Sequence, residues 1–315
     1  MRLGRWSILA AVLVAGIWTH CAPQVDIHGL FAKASSSNPR IAAEAQDKIN
    51  RLILERRVDL FQAVLENSDD DLRGLALIFL GRIGTPEAVE VLSGYLAAET
   101  RFQVSRDPIT ALRQGNPIDS RFLVARLLNL LGPPDGAVER VLSSLDSSDH
   151  EEKVAAILVL GALGEPSAAP YLIPLATDPD PEIEKRAVET LGRLRNPVAV
   201  PVLLDRAVEP QSVSRRVALS MLDLYRDPTI PERLLEAFPD VEEPPVRFAM
   251  VSLMGRFPDP RVVSTLIGVL DSPDPNVRRM AETRICELTH RPPGKSKSDW
   301  ERWWKENRQG YRFPS

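Results

Sequence analysis

The residues that could catalyse a reaction or bind a metal are few and scattered in this 315-residue sequence. Its histidines are His20, His28, His150 and His290, and none has a second ligand at the spacing typical of a metal site. Phosphate-binding loops, nucleophile elbows, dinucleotide fingerprints and Cys-x-x-Cys pairs are all missing from the sequence. Paired carboxylates occur only at turns, where solvation and helix N-termini explain them. We therefore expect no enzyme activity, no cofactor, no metal and no small-molecule substrate.

Cys21 is the residue with the most specific chemistry. The short basic region Met1–Arg5 precedes the apolar run Trp6–Trp18, and the sequence turns polar after Cys21. This order is typical of a bacterial export signal, and the cysteine resembles the lipidated cysteine of bacterial lipoproteins. Trp18 and His20 differ from the small or aliphatic residues that lipoproteins place there. We predict an exported, membrane-anchored chain of the cell envelope with a lipid on Cys21; ordinary cleavage, a retained anchor and a cytoplasmic chain are the alternatives.

The charge balance bears on possible partners. The chain has 39 basic and 43 acidic residues and a net charge of -4. A positive field that could hold nucleic acid is therefore not expected.

Only two cysteines occur, so a disulfide framework is excluded, and we predict that Cys286 is a small buried side chain.

The chain repeats one register about every 31 residues. An anchor residue of a first helix recurs at Ala76, Ala156, Ala187, Ala218, Met250 and Ala281. Ten residues after each of the first five anchors stands a proline: Pro86, Pro166, Pro197, Pro228 and Pro260. Sixteen residues after them stands a leucine: Leu92, Leu172, Leu203, Leu234 and Leu266. Such agreement between residue types predicts a true structural repeat.

Each repeat is predicted to be a helix, a tight turn and a second helix. In Leu72–Ile83 the apolar residues form one helical stripe; Gly84 suits the end of that helix, and Pro86 suits the start of the next. A further anchor is Ala45, and another repeat is expected near Arg126. About eight hairpins result, and they must stack because one hairpin cannot bury both of its helices.

Turns between repeats carry the strongest family signal. Asp178–Pro181 precedes Lys185 and Arg186, and Asp271–Pro275 precedes Arg278. With the Ala-x-x-x-Leu-Gly helix and the proline-led second helix, these turns resemble the HEAT-like repeat family, particularly its short phycobilisome-lyase units. The resemblance covers most of residues 40 to 290. It implies an all-α fold, an α-solenoid wound as a right-handed superhelix, and a protein partner on the concave face that second helices line.

We predict five segments. They are a signal peptide or anchor at 1–21, a polar linker at 22–38, a repeat solenoid at 39–290, an insertion within it at 100–117, and a tryptophan-rich capping helix and tail at 291–315.

Two departures from the repeat are candidate partner sites. The insertion holds Arg101, Phe102, Arg106 and Arg113, and it either contacts a partner or forms a helix that decorates the stack. The C-terminal helix holds Trp300, Trp303 and Trp304 on one face, which predicts either a cap for the last repeat or an aromatic ligand site. The acidic loop Asp240, Glu242 and Glu243 is expected to be a solvated turn, with binding of a cation or of a basic partner as the alternative.

These features favour a non-catalytic scaffold or adaptor of the envelope that binds a protein partner through many distributed contacts. Two other hypotheses stand beside it. An enzyme like a bilin lyase is suggested by the family name, and a nucleic-acid-binding solenoid is compatible with the fold. Their evidence is fold-level analogy, which specifies function poorly.

Overall fold

The computed structural model describes residues 25–34, 36–67, 70–97, 101–104 and 118–313. In these residues the fold is all-α, as the sequence predicts, apart from two short strands. The helices of the N-terminal part are α1 (Ile27–Ala34), α2 (Pro39–Leu54), α3 (Val58–Asn67), α4 (Asp70–Ile83) and α5 (Pro86–Gly94). The strands β1 (Gln103–Val104) and β2 (Ile118–Asp119) then form a two-stranded sheet.

Twelve α-helices follow the second strand in the described residues. They are α6 (Ser120–Leu131), α7 (Glu139–Leu145), α8 (His150–Leu163), α9 (Ala169–Leu172), α10 (Pro181–Leu194), α11 (Val200–Val208), α12 (Arg215–Leu222), α13 (Thr229–Ala237), α14 (Pro244–Met254), α15 (Pro260–Val269), α16 (Pro275–Thr289) and α17 (Lys297–Asn307). Short 3-10 segments lie at Pro166–Ala168, Pro174–Thr177, Pro197–Ala199 and Phe238–Asp240.

The chain divides into two compact units. Of the described residues, the first unit comprises those up to residue 88 together with residue 104, and the second comprises those from 89 to 103 and from 118 to 313. In the first unit α2 packs on α4, and α1 packs on α2 and α3. Its core holds Phe31, Phe61 and Phe79, and the ring centroids of Phe31 and Phe61 each lie 5.5 Å from that of Phe79. The anchors Ala45 and Ala76 are both buried in this core.

The second unit is built from two layers of helices. In the first-helix layer, α6, α8, α10, α12, α14 and α16 each contact the next helix of the series. In the second-helix layer, α9 contacts the 3-10 turn before α11, and α11, α13, α15 and α17 follow one another in the same way. Each helix pair therefore packs on the pair that follows it, which is the arrangement of an α-solenoid.

The predicted register is buried as expected. The anchors Ala156, Ala187, Ala218, Met250 and Ala281 have 0% exposure, as do the register leucines Leu92, Leu172, Leu203, Leu234 and Leu266. Each buried leucine contributes roughly 1.5 to 3 kcal/mol through removal of apolar surface from water. Arg126, however, is exposed, whereas Val124 and Ala125 are buried. The anchor of that repeat thus lies before Arg126, because Asp119 caps α6 directly after the strand.

Capping explains where the helices begin and end. Asp180 and Asp274 each accept hydrogen bonds from two backbone N–H groups at the start of α10 and α16, and a proline follows each aspartate at the first helical position. Gly164 ends α8 with φ of 70°. Arg195 and His290 take the same left-handed conformation at the ends of α10 and α16, with φ of 53° and 52°. Glycine is therefore not the only residue that ends a repeat helix in this chain.

A glycine sets the close approach of α10 and α12. A Cβ atom on Gly192 would overlap the side chain of Met221 on α12. The glycine of the Leu-Gly pair is thus required by packing between successive first helices. Within the described ranges, none of the helices combines the length and apolar character needed to cross a bilayer.

Candidate functional site

Charged residues early in the first helices join neighbouring repeats. Arg121, Glu184, Arg215, Arg247 and Arg278 each stand three residues before a buried anchor. The last three of them donate hydrogen bonds to backbone carbonyl groups just before their own helix, at distances of 3.1, 2.6 and 2.5 Å. The basic residue of the inter-repeat motif therefore satisfies carbonyl groups left free where the preceding second helix ends. Its role is in the fold.

Arg121 is the centre of a buried ion-pair network. Its side chain has 0% exposure, and its Nη1 donates to Glu152 Oε1 at 2.6 Å while its Nη2 donates to Asp119 Oδ2 at 2.8 Å. Ser144 Oγ accepts a further bond from Nη1 at 3.3 Å. The guanidinium thus ties the end of β2 to α7 and α8, and its charge is neutralised by two carboxylates.

Ionisation of this network is strongly favoured. Burial opposes the charge on Glu152, yet hydrogen bonds from Arg121 and Ser144 hold the pKa of its carboxyl below the usual value. Burial likewise opposes the charge on Arg121, while its bonds to Asp119 and Glu152 raise its pKa. Since both partners stay charged, Glu152 is not available as a general acid.

The described part of the insertion is tied into the same network. Arg101 Nη1 donates to Glu152 Oε2, and the Arg101 side chain is 44% exposed. Phe102 is buried, its N–H donates to Ser120 Oγ at 3.0 Å, and its carbonyl accepts from Ser120 N–H at 2.9 Å. Of these two predicted partner residues, Arg101 alone has substantial exposure. Cys21, Arg106 and Arg113 lie outside the described residues.

The C-terminal tryptophans have unequal surroundings. Trp300 and Trp304 are buried, and Trp304 Nε1 donates to Ser264 Oγ on α15 at 2.9 Å. Trp303 is half-buried, with the Arg291 guanidinium 4.4 Å from its ring centroid and the Tyr311 ring at 5.7 Å. Because α17 packs on α15, it occupies the place of a second helix in the last repeat. The stripe therefore lies mainly in the core, and Trp303 alone presents part of its ring to solvent.

The acidic loop and Cys286 do not form a binding site in the described residues. Asp240 and Glu242 are exposed, and Glu243 accepts from the Arg215 guanidinium at 3.3 Å. The described residues contain no group of three or more side chains suited to hold a metal ion. Cys286 is half-buried rather than buried, since it lies on α16 between buried Ile285 and exposed Glu287. Burial raises the pKa of its thiol, which favours the unreactive protonated form.

The second-helix layer has an uncharged exposed surface. The segments 166–177 and 197–204 contain no charged residue. From their exposed residues we define the uncharged strip as Pro170, Tyr171, Pro174, Pro197, Val198 and Pro201. Pro166, Ser167 and Thr177 are also exposed in these segments. Tyr171 is 48% exposed and Val198 is 46% exposed, values that are high for large apolar side chains.

Charged residues border the uncharged strip. In the pair that precedes it, Arg140 on α7 lies 3.5 Å from Glu90. In the pair that follows, Arg233 on α13 contacts Asp205 and Glu236 at 3.7 and 3.4 Å. An apolar centre with a polar border is the usual anatomy of a protein interface. The resemblance to HEAT-like repeats indicates this layer as a partner surface but does not single out these residues, although the absence of charge in both segments is visible in the sequence.

Comparison with known proteins supports the repeat. Residues 138–223 match the family described as HEAT repeats. That range includes α7 through α12, so the predicted HEAT-like repeats are confirmed there. None of the curated proteins matches the chain.

Several solved structures match the chain at low sequence identity. The N-terminal domain of Mot1 in complex with TBP is 18% identical, with 72% of this chain and 33% of that chain covered and a TM-score of 0.42. The complex of CpcE and CpcF of phycocyanin lyase from Nostoc sp. PCC7120 is 21% identical, with 79% and 94% covered and a TM-score of 0.36. An engineered protein is 17% identical, with 83% and 78% covered and a TM-score of 0.39.

Proposed function

We propose that this chain is a non-catalytic scaffold that binds a protein partner through its second-helix layer. The uncharged strip carries the proposal. Contiguous exposed apolar surface is costly in water and marks interaction sites on soluble proteins. Tyrosine is enriched at the energetic centres of interfaces, and charged residues are depleted there.

The prolines of the strip suit this role as well. Pro170, Pro174 and Pro201 stand on helical segments whose backbone is already ordered. A rigid surface loses little conformational entropy when a partner binds. The bordering pairs around Arg140 and Arg233 would supply the polar rim that excludes water from the contact.

We further propose that the scaffold is exported and held at a membrane of the cell envelope. The support is the order of Met1–Arg5, Trp6–Trp18 and Cys21 in the sequence. Mass spectrometry of the mature N-terminus distinguishes the possible fates. A diacylglycerol on Cys21 supports a lipid anchor, and an intact Met1 in a soluble cytoplasmic fraction overturns export.

Partner binding is tested by site-specific photo-crosslinking in the native envelope. A photoreactive amino acid in place of Tyr171 or Val198 is expected to trap the same protein. That product should disappear when the other strip position is changed to aspartate. The matched control replaces Leu130, an exposed apolar residue of α6 in the first-helix layer. Equal products from the control, or none from either strip position, would exclude the strip as the binding surface.

A further inference from the structure

We propose a second binding surface on the first-helix layer, a groove across α12, α14 and α16 that binds an acidic polypeptide segment. The segment would insert an apolar side chain against Phe248 and place a carboxylate on Arg216 and another on Arg279. This surface lies on different helices from the uncharged strip, and its argument is independent of the proposed scaffold function.

Phe248 is an exposed aromatic residue between two grooves. It lies on α14, is 37% exposed, and forms part of the wall of both grooves. Pro244 and Met280 line one groove with it, and Leu219 and Ala249 line the other. The exposed residues of α14 are Pro244, Pro245 and Phe248, and none of them is charged. The centre of the surface is therefore apolar.

Two arginines stand on either side of this apolar centre. Arg216 on α12 lines one groove and Arg279 on α16 lines the other. Both side chains are exposed. In the described part of the chain, neither guanidinium group forms a hydrogen bond or an ion pair. Each arginine thus has its full set of donors available to an incoming carboxylate.

The other arginines of the two grooves already have carboxylate partners, and the acid of the grooves that lies beside Arg279 is engaged as a helix cap. Arg256 binds the Asp223 carboxylate, and Arg284 lies 2.6 Å from Glu287. The acid beside Arg279, Asp274, accepts from the backbone N–H groups of Asn276 and Val277 as the cap of α16. Arg216 and Arg279 are therefore the basic residues of this surface without a carboxylate partner among the described residues, although the whole chain has a net charge of -4.

Charge and shape together favour a polypeptide as the occupant. Arginine binds carboxylate through paired N–H donors with defined geometry, and an aromatic ring offers a large apolar contact. Two single arginines separated by a helix whose exposed residues are uncharged match an apolar residue between two acids. Nucleic acid and anionic membranes prefer a continuous cluster of basic residues, which this surface does not have.

The test measures binding of the folded chain without its leader to fluorescein-labelled peptides. The acidic peptide carries a leucine with aspartates on both sides, and a matched basic peptide carries lysines in their place. We expect the acidic peptide to bind, with affinity that falls as salt is added. The double variant Arg216→Glu/Arg279→Glu should lose at least about tenfold in affinity for it and gain affinity for the basic peptide. Phe248→Ala should weaken the binding of the acidic peptide, and in the double variant it should weaken the binding of the basic peptide.

Arg126→Glu is the matched control, because Arg126 is an exposed arginine of the same layer on α6. It makes the same charge change outside the groove and should leave binding unchanged. Three results would overturn the proposal: no binding of the acidic peptide at millimolar concentration, equal loss in the Arg126→Glu control, or no gain for the basic peptide in the double variant. Binding of phosphatidylglycerol vesicles in place of the peptide would assign the surface to a membrane. Failure here leaves the crosslinks at Tyr171 and Val198 unaffected, so the two proposals are tested separately.

Discussion

Arg121 Nη1 lies 2.6 Å from Glu152 Oε1, although the two residues are 31 positions apart in the sequence. The separation equals one repeat, so the bond joins equivalent regions of neighbouring first helices. Asp119 and Arg101 complete the cluster at the two ends of the inserted segment. A repeat that is interrupted by an insertion is thus fastened to the next one by charge rather than by apolar packing alone.

Removing the Glu152 carboxylate should be strongly destabilising. Glu152→Ala leaves the Arg121 guanidinium buried with only Asp119 as an ionic partner, and breaking one side of a buried pair costs about 3 to 5 kcal/mol. Urea unfolding followed by circular dichroism measures the loss. The control is Glu90→Ala, which removes a carboxylate that is 70% exposed and should change stability by less than about 0.5 kcal/mol. Equal effects of the two changes would contradict the structural role of Glu152.

Acid should weaken the same contact. The pKa of Glu152 is lowered from 4.5 in the folded chain, so its stabilisation is fully present above that pH. It is lost as the pH falls from there through the lower folded-state pKa, because the unfolded chain takes up the proton first. Glu152→Gln removes this titration, and its free energy of unfolding should therefore fall less steeply with acid. If the free energy of unfolding fell equally with acid in both proteins, protonation of Glu152 would not contribute to the loss of stability.

The fold was predictable because its signals are local and periodic. Ala156, Ala187 and Ala218 recur at one register, and each is fully buried. Proline and aspartate mark helix starts through their own backbone chemistry. The shift at Arg126 was not predictable, because it depends on Asp119 ending a strand and capping α6.

Side-chain networks were harder to foresee. The pairing of Arg121 with Glu152 depends on which repeats are neighbours and on how far each helix is rotated, and neither follows from apolar periodicity. The tryptophans were correctly grouped on one helical face, yet the burial of Trp300 and Trp304 against half-exposed Trp303 depends on α15. The uncharged strip was accessible from composition, since its two segments simply contain no charge.

Alkaline pH should destabilise the contact made by Tyr225. Its hydroxyl donates to the Leu191 carbonyl at 3.0 Å, and burial raises its pKa from 10.0 to about 12. Between these pH values the unfolded chain releases the proton and the folded chain keeps it, so stability falls as the pH rises. Tyr225→Phe should lose about 1 kcal/mol at neutral pH but lack this alkaline term. Urea unfolding at about pH 8 and about pH 11 makes the comparison, and an equal alkaline loss in Tyr225→Phe would exclude Tyr225 as its source.

The last prediction separates a structural cap from a ligand site at α17. Trp304→Ala removes a buried ring and the donor to Ser264, and loss of a core tryptophan costs about 3 to 5 kcal/mol. In a stack whose repeats contact only their neighbours, this loss should remain at the end. Hydrogen exchange measured by mass spectrometry should therefore accelerate in α16 and α17 and stay unchanged in α8 and α10.

Trp303→Ala is the matched variant, because Trp303 stands on the same helix but is half-buried. Its contacts with Arg291 and Tyr311 lie at the surface, so exchange in α16 should rise less than in Trp304→Ala. If both variants left exchange in α16 unchanged, the stripe would not be holding the last repeat in place. Its spacing on one helical face would then require a different explanation, since an exposed aromatic stripe without a packing role is costly in water.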